Sequence, residues 1–255
     1  MAIETGPFTS LNLRHQPTGD GHRSRSRAFA NWVWTYDTIS HASMGTGKTD
    51  RDRASLHYAA HHGFYRAAEW LITTSFQDVN LSGHDFSTPL HIASKKEGWF
   101  IVVQVLLKYH ADVDAGSQRY TPLHLASLYG HPKVARLLLE RGADVNRKAD
   151  HGDTPLRFLS EADGNLKIAQ MLLDHGADPN ARSISGWNTL HAAFRNGHRG
   201  LAQLLLKRGA DPNARDVHGW TLLPWRHDSE ADQTDVFPVE PTCRPNYSTQ
   251  PKAWR

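Results

Sequence analysis

The sequence predicts an all-α fold, a solenoid of stacked helix–turn–helix units with projecting loops. Three observations predict it. A four-residue pattern recurs as Ala54-Ser55-Leu56-His57, Thr88-Pro89-Leu90-His91, Thr121-Pro122-Leu123-His124, Thr154-Pro155-Leu156-Arg157 and Asn188-Thr189-Leu190-His191, with first residues 34, 33, 33 and 34 apart. A loop signature keeps the same period, as Gly142-Ala143-Asp144-Val145-Asn146, Gly176-Ala177-Asp178-Pro179-Asn180 and Gly209-Ala210-Asp211-Pro212-Asn213. His110-Ala111-Asp112-Val113-Asp114 and Asp78-Val79-Asn80 are weaker copies. Within each unit, apolar residues fall at helical spacing. A fixed period of this length marks one supersecondary unit repeated along the chain.

Residues 1–27 are rich in Ser, Gly, Pro and Arg and read as a disordered tail. Their basic run, Arg23-Ser24-Arg25-Ser26-Arg27, reads as solvated. Residues 28–49 read as a capping helix and linker. Phe29, Trp32, Val33, Tyr36 and Ile39 share one helical face, and a repeat array exposes leucine at its ends unless something covers it. A partner-binding amphipathic helix is the rival reading. Residues 42–49, Ala-Ser-Met-Gly-Thr-Gly-Lys-Thr, fit a relaxed phosphate-loop pattern. Such a loop needs a buried strand before it and a helix after it, so that backbone N–H groups hold phosphate. No Val- and Ile-rich strand precedes it, and Asp50-Arg51-Asp52-Arg53 reads as the loop before the first helix pair. No nucleotide or other cofactor is expected.

Residues 121–146 show how one unit is encoded. Thr121 can cap a helix, and Pro122 suits its first position, where no N–H partner is needed. Leu123 and Ala126 share a face, and Gly130 can end the helix in the left-handed conformation. Pro132 opens a second helix with Val134, Leu137 and Leu138 on its apolar side, and Gly142 stops it. The polar stretch that follows is a loop. One unit cannot bury its own leucine face, but stacked neighbours can. The array is thus expected over residues 50–225, as about five full units and a partial sixth. Unit four should be the least regular, because Arg157 replaces the repeated histidine and Leu159 the repeated alanine.

The sixth unit starts with Gly219-Trp220-Thr221 but shows no second helix. Either Trp220, Leu223 and Trp225 fold back as an improvised cap, or the chain is a shortened form of a longer array. Residues 226–255 are polar, contain four prolines and read as a disordered tail.

These linked motifs resemble the ankyrin-repeat family over about residues 50–225. The resemblance implies that His57, His91, His124 and His191 tie helix starts to adjacent loops. It therefore accounts for part of the 17 histidines without calling on metal binding. Equivalent positions in successive units lie about 10 Å apart, too far for shared ligation at about 2 Å per bond. Adjacent His61 and His62 diverge by about 100° on a helix, so no metal site is expected there either. The resemblance also places Asn80, Asn146, Asn180 and Asn213 at a loop position that asparaginyl hydroxylases modify in some members.

Composition excludes other classes. A net charge of +3 is too small to argue for nucleic acid, and the apolar runs fall far short of a membrane span, which takes about 20 residues. The single cysteine, Cys243, forms no intrachain disulfide and lies without an organised base in the tail, which fits a reducing cytoplasmic or nuclear compartment. No catalytic or metal-ligating constellation stands out, so no enzyme is expected. The resemblance implies a monomeric scaffold that binds another protein through loop tips and the exposed ends of first helices. The alternatives are a substrate-recognition adaptor of a larger complex and an enzyme-like accessory holding a small molecule in its groove. The candidate partner-binding residues are Tyr120, Tyr129, Trp187, Trp220, Arg195, Lys95 and Lys96. They are aromatic, arginine and lysine side chains at exposed repeat positions, and aromatics and arginine dominate interface energetics.

Overall fold

The computed structural model describes residues 48–83, 87–116, 120–217 and 219. The expected tails, the segment 28–47, and Trp220, Leu223 and Trp225 lie outside the described residues. Five helix pairs follow one another: α1 (Lys48–His62) with α2 (Tyr65–Thr74), α3 (Pro89–Ser94) with α4 (Phe100–Lys108), α5 (Pro122–Leu128) with α6 (Pro132–Glu140), α7 (Pro155–Glu161) with α8 (Leu166–Asp174), and α9 (Thr189–Arg195) with α10 (Arg199–Lys207). Each first helix packs on the first helix of the next unit, and each second helix on the next second helix. The result is the expected two-layer all-α stack. Among the described residues, the only β pairing is an isolated bridge between Arg182 and Asn188.

The core is written once and repeated. Leu56, Leu90, Leu123, Leu156 and Leu190 occupy one position of the first layer and are all buried. Leu106, Leu138, Leu172 and Leu205 do the same in the second layer. Each such burial stabilises by about 2 kcal/mol, and it draws on the partner helix of the same unit and on the neighbouring units. Ala59, Ala93, Ala126 and Ala193 keep the layers close, while Leu159 fills that position in unit four.

One expected loop is helix instead. Residues 50–53 lie inside α1, which runs from Lys48 without a break. The other units place Thr or Asn before the helix, and most follow it with Pro, which disfavours helix in the residue before it. Unit one has Ala54-Ser55 there. Alanine cannot cap and Ser55 leaves its predecessor free, so the helix propagates upstream.

Two polar ladders join neighbouring units. The first is made by the repeated histidine. In unit three, His124 Nε2 meets the Asp153 carbonyl of unit four at 3.0 Å. A carbonyl only accepts, so Nε2 carries the proton and Nδ1 is left as an acceptor. Nδ1 takes the Thr121 amide at 3.2 Å and lies 2.8 Å from its hydroxyl. His91 repeats the arrangement with Thr88 and the Tyr120 carbonyl, and His57 reaches the Ser87 carbonyl. Unit four breaks the series. Arg157 turns to Asp153 at 2.8 Å and Glu161 at 2.9 Å within its own unit. The buried hydroxyl of Thr154 then has no hydrogen-bond partner among the described residues.

The second ladder is made by loop asparagines. Asn146 accepts from the Asp178 amide and donates to the Gly176 carbonyl, both at 2.9 Å. Asn180 bonds Asp211 and Gly209, and Asn80 bonds Asp112 and His110, in the same way. Asp114 holds this place in unit two and can only accept, taking the Asp144 amide on both oxygens. Burial, followed by the nearby Asp144 and Asp112 carboxylates, pushes its carboxyl above the ordinary range. The second helices of units three to five end on Gly142, Gly176 and Gly209 with φ of 85°. Units one and two put Phe76 (φ 51°) and His110 (φ 64°) in that left-handed position, which is costly for a residue with a Cβ.

Asp114→Asn should restore the missing donor and remove a carboxylate that the fold disfavours. A gain of about 1 kcal/mol, or a rise of about 2–4 °C in melting temperature, is expected by calorimetry. His124 sets a pH dependence. Burial lowers its pKa from 6.5 to about 4. The unfolded chain takes up this proton as pH falls below 6.5, whereas the folded chain resists until about 4. More protons are then bound to the unfolded state, so stability is full above that window and falls on acidification through it. The loss by pH 4 should be roughly 3 kcal/mol, read as a shift in urea midpoint that His124→Gln reduces.

Candidate functional site

The C-terminal ends of the first-layer helices form a row, because α1, α3, α5, α7 and α9 stack in order. Along it stand His61 and His62, Lys95 and Lys96, Tyr129, Glu161, and Arg195 with Asn196. Neighbouring positions in this row touch, as where Asn196 Nδ2 donates to the Ser160 carbonyl at 2.6 Å. The side chains are chemically uneven on a regular backbone.

At units one and two, aromatic rings and cations gather. Tyr58 and His62 have ring centroids 4.1 Å apart, and His62 stacks with Phe64 at 5.8 Å. His61 stands 4.7 Å from His62 and 6.1 Å from Trp99. Lys96 Nζ lies 5.7 Å from the Trp99 ring centroid. The indole is held by the turn of the preceding unit. Gly63 has φ of 75°, and a Cβ there would come within 2.7 Å of Trp99 Nε1. Lys96, His61 and His62 are exposed, and Lys95 is half-buried. Burial, then His61 and Lys96, hold the His62 imidazole below its ordinary value.

The other candidates divide. Tyr129 is 51% exposed, and its ring lies parallel to His131 with centroids 6.3 Å apart. Trp187 is half-buried. It stacks with His191 at 5.9 Å, carries the Arg195 guanidinium 5.5 Å from its centroid, and donates from Nε1 to Asp216 at 3.3 Å. Trp187 and Arg195 are therefore one assembly tying the fifth unit to the loop beyond it. Tyr120 sits away from the row, at the loop end of its unit, edge-on to Phe158 at 5.1 Å. Trp220 lies outside the described residues. Ile184, in the loop before the first helix of unit five, is 71% exposed.

Sequence reasoning missed Trp99, Tyr58 and Phe64. The signal was present in register: Gly98-Trp99 aligns with Gly130-His131 and Gly197-His198, so an indole replaces an imidazole at a helix-opening position. Among the described residues, no three His, Cys, Asp or Glu side chains gather to hold a metal ion, and no helix is long and apolar enough to cross a membrane. Lys48 and Thr49, the end of the phosphate-loop pattern, open α1. The rest of that pattern lies outside the described residues.

Similar proteins agree with this architecture. The chain is 32% identical to Transient receptor potential cation channel subfamily A member 1 of Drosophila melanogaster over 147 residues, 56% of this chain and 10% of that protein. It is 43% identical to Ankyrin repeat and SAM domain-containing protein 6 of Mus musculus over 111 residues, 42% of this chain and 12% of that one. It is 35% identical to Ankyrin repeat and SOCS box protein 11 of Danio rerio over 106 residues, 42% of this chain and 36% of that one. The chain thus spans well under half the length of each of these relatives. A family model described as ankyrin repeats in three copies matches residues 56–149 and 147–216, more than half the chain. The chain belongs to the ankyrin-repeat family, whose arrays are in general non-catalytic protein–protein interaction modules.

Proposed function

We propose that this array is a scaffold that binds a partner protein along the row of first-helix ends. The carrying observation is the contrast between repeated core and unrepeated surface. Leucine and alanine recur at the buried positions of nearly every unit, whereas the row presents His, Lys, Tyr, Glu and Arg in turn. Tyr129 supports this reading, being a large aromatic half open to solvent in the middle of the row. Aromatic and arginine anchors of this kind, once desolvated by a partner, are each worth about 2 kcal/mol or more. Trp187 has a second duty, since its ring and Nε1 are engaged within the array.

Alanine substitution separates the two duties. Tyr129→Ala should leave the melting temperature within about 1 °C, because an exposed side chain away from special features contributes little to stability. Trp187→Ala should cost about 2 kcal/mol through lost packing and a lost hydrogen bond. Affinity capture with the intact chain, compared with a folded Tyr129→Ala/Arg195→Ala variant, tests the binding role. The expected result is loss of specific partners from the variant. An identical captured set would overturn this reading.

A further inference from the structure

We propose that the part of the row formed by units one and two docks an acidic segment of the partner protein, one that carries an aromatic anchor. This rests on the reading of the array as a protein-binding module. The geometry has two components. The floor is aromatic: Tyr58, Phe64 and Trp99 are half-buried and linked through the two imidazoles. The rim carries the ammonium groups of Lys95 and Lys96 beside the imidazoles of His61 and His62.

Two lysines of the rim stand against one neighbouring acid, Glu97, on the same turn. Glu69, the acid of α2, is engaged elsewhere, with Lys108 at 2.9 Å and Tyr109 at 3.0 Å. Among the described residues, His61, His62, Lys95 and Lys96 make no ion pair with an acid. The His62 imidazole is held below its ordinary pKa first by burial and then by His61 and Lys96. An arriving carboxylate would pair with the lysines, and an aromatic side chain beside it would join the cluster of Tyr58, Phe64 and Trp99.

The rest of the row limits the occupant. Unit four carries Glu161 and the exposed Asp163 at the equivalent end, and Asp163 lies close to the Gly130 turn of unit three. Glu161 is paired with Arg157, so Asp163 is the acid that disfavours an acidic segment at unit four and favours its seat at units one and two. A nucleic acid strand shares the taste for cations and aromatic plates but carries charge along its whole length, so it would meet that acidic stretch.

Fluorescence anisotropy with the full chain tests the proposal. The probe is a fluorescein-labelled peptide of alternating Asp and Trp. The unaltered chain should bind it, more weakly as salt is raised. Lys96→Glu/His61→Glu, with folding checked by circular dichroism, should weaken binding at least about tenfold. Lys207→Glu, at an exposed position on the second helix of unit five and off the row, should change it less than about twofold. No binding, or equal loss in both variants, would overturn the acidic-segment proposal. Tighter binding of a labelled oligothymidine would overturn it in favour of nucleic acid. In each of those cases the wider protein-binding reading stands if capture still depends on Tyr129 and Arg195, and it falls on its own if capture does not.

Discussion

Every other feature of this structure depends on the fact that a unit of 33 or 34 residues cannot bury its own apolar face. Leu123 and Leu138 are buried because units two and four cover what unit three leaves open. Stability therefore resides at interfaces between units as much as within them. The polar bonds follow the same rule. The histidine and asparagine ladders both reach one unit onward, so each loop is held by the helix or loop of its predecessor. Desolvation makes those bonds demanding. A buried imidazole must stay neutral to accept at Nδ1 while donating from Nε2, which gives an otherwise apolar core a sensitivity to acid.

Much of this was legible in the sequence because it recurs. A motif repeated five times averages out local ambiguity, and residues such as Gly130, Pro132 and Gly142 mark where helices stop and start. The departures were harder to read for reasons of physics. The upstream extension of α1 is decided by the absence of a cap at Ala54, and a missing residue type leaves only a weak trace. The role of Arg157 depended on partners at both i−4 and i+4, which helical spacing allows but does not require. The candidate site was less visible still. Lys95, Lys96, Tyr129 and Arg195 could be placed at helix ends from register alone. That Trp99 lies over Gly63, and that Trp187 is clamped by Arg195 and Asp216, are contacts between units that repeat alignment does not encode.

The contrast between core and row also shows how such an array separates its two tasks. The positions that hold the stack together accept few residue types, and they are the same few in every unit. The ends of the first helices are free of that constraint, so they carry chemistry that differs from one unit to the next. Trp187 is an exception, spending an aromatic side chain on joining the fifth unit to the loop after it.

The seat of Trp99 on Gly63 has a consequence for how this array can change over generations. Repeat proteins readily gain, lose and exchange whole units, since each contacts only its neighbours. Here the indole belongs to unit two, but the surface it rests on belongs to unit one, and any side chain at that glycine would strike the ring. Gly98, Gly130, Gly164 and Gly197 hold the same left-handed turn position in the other units, and Gly164 seats His198 as Gly63 seats Trp99. The seat is thus a property of the repeat, and a unit that carries a large ring at its helix start finds a bed for it behind any neighbour.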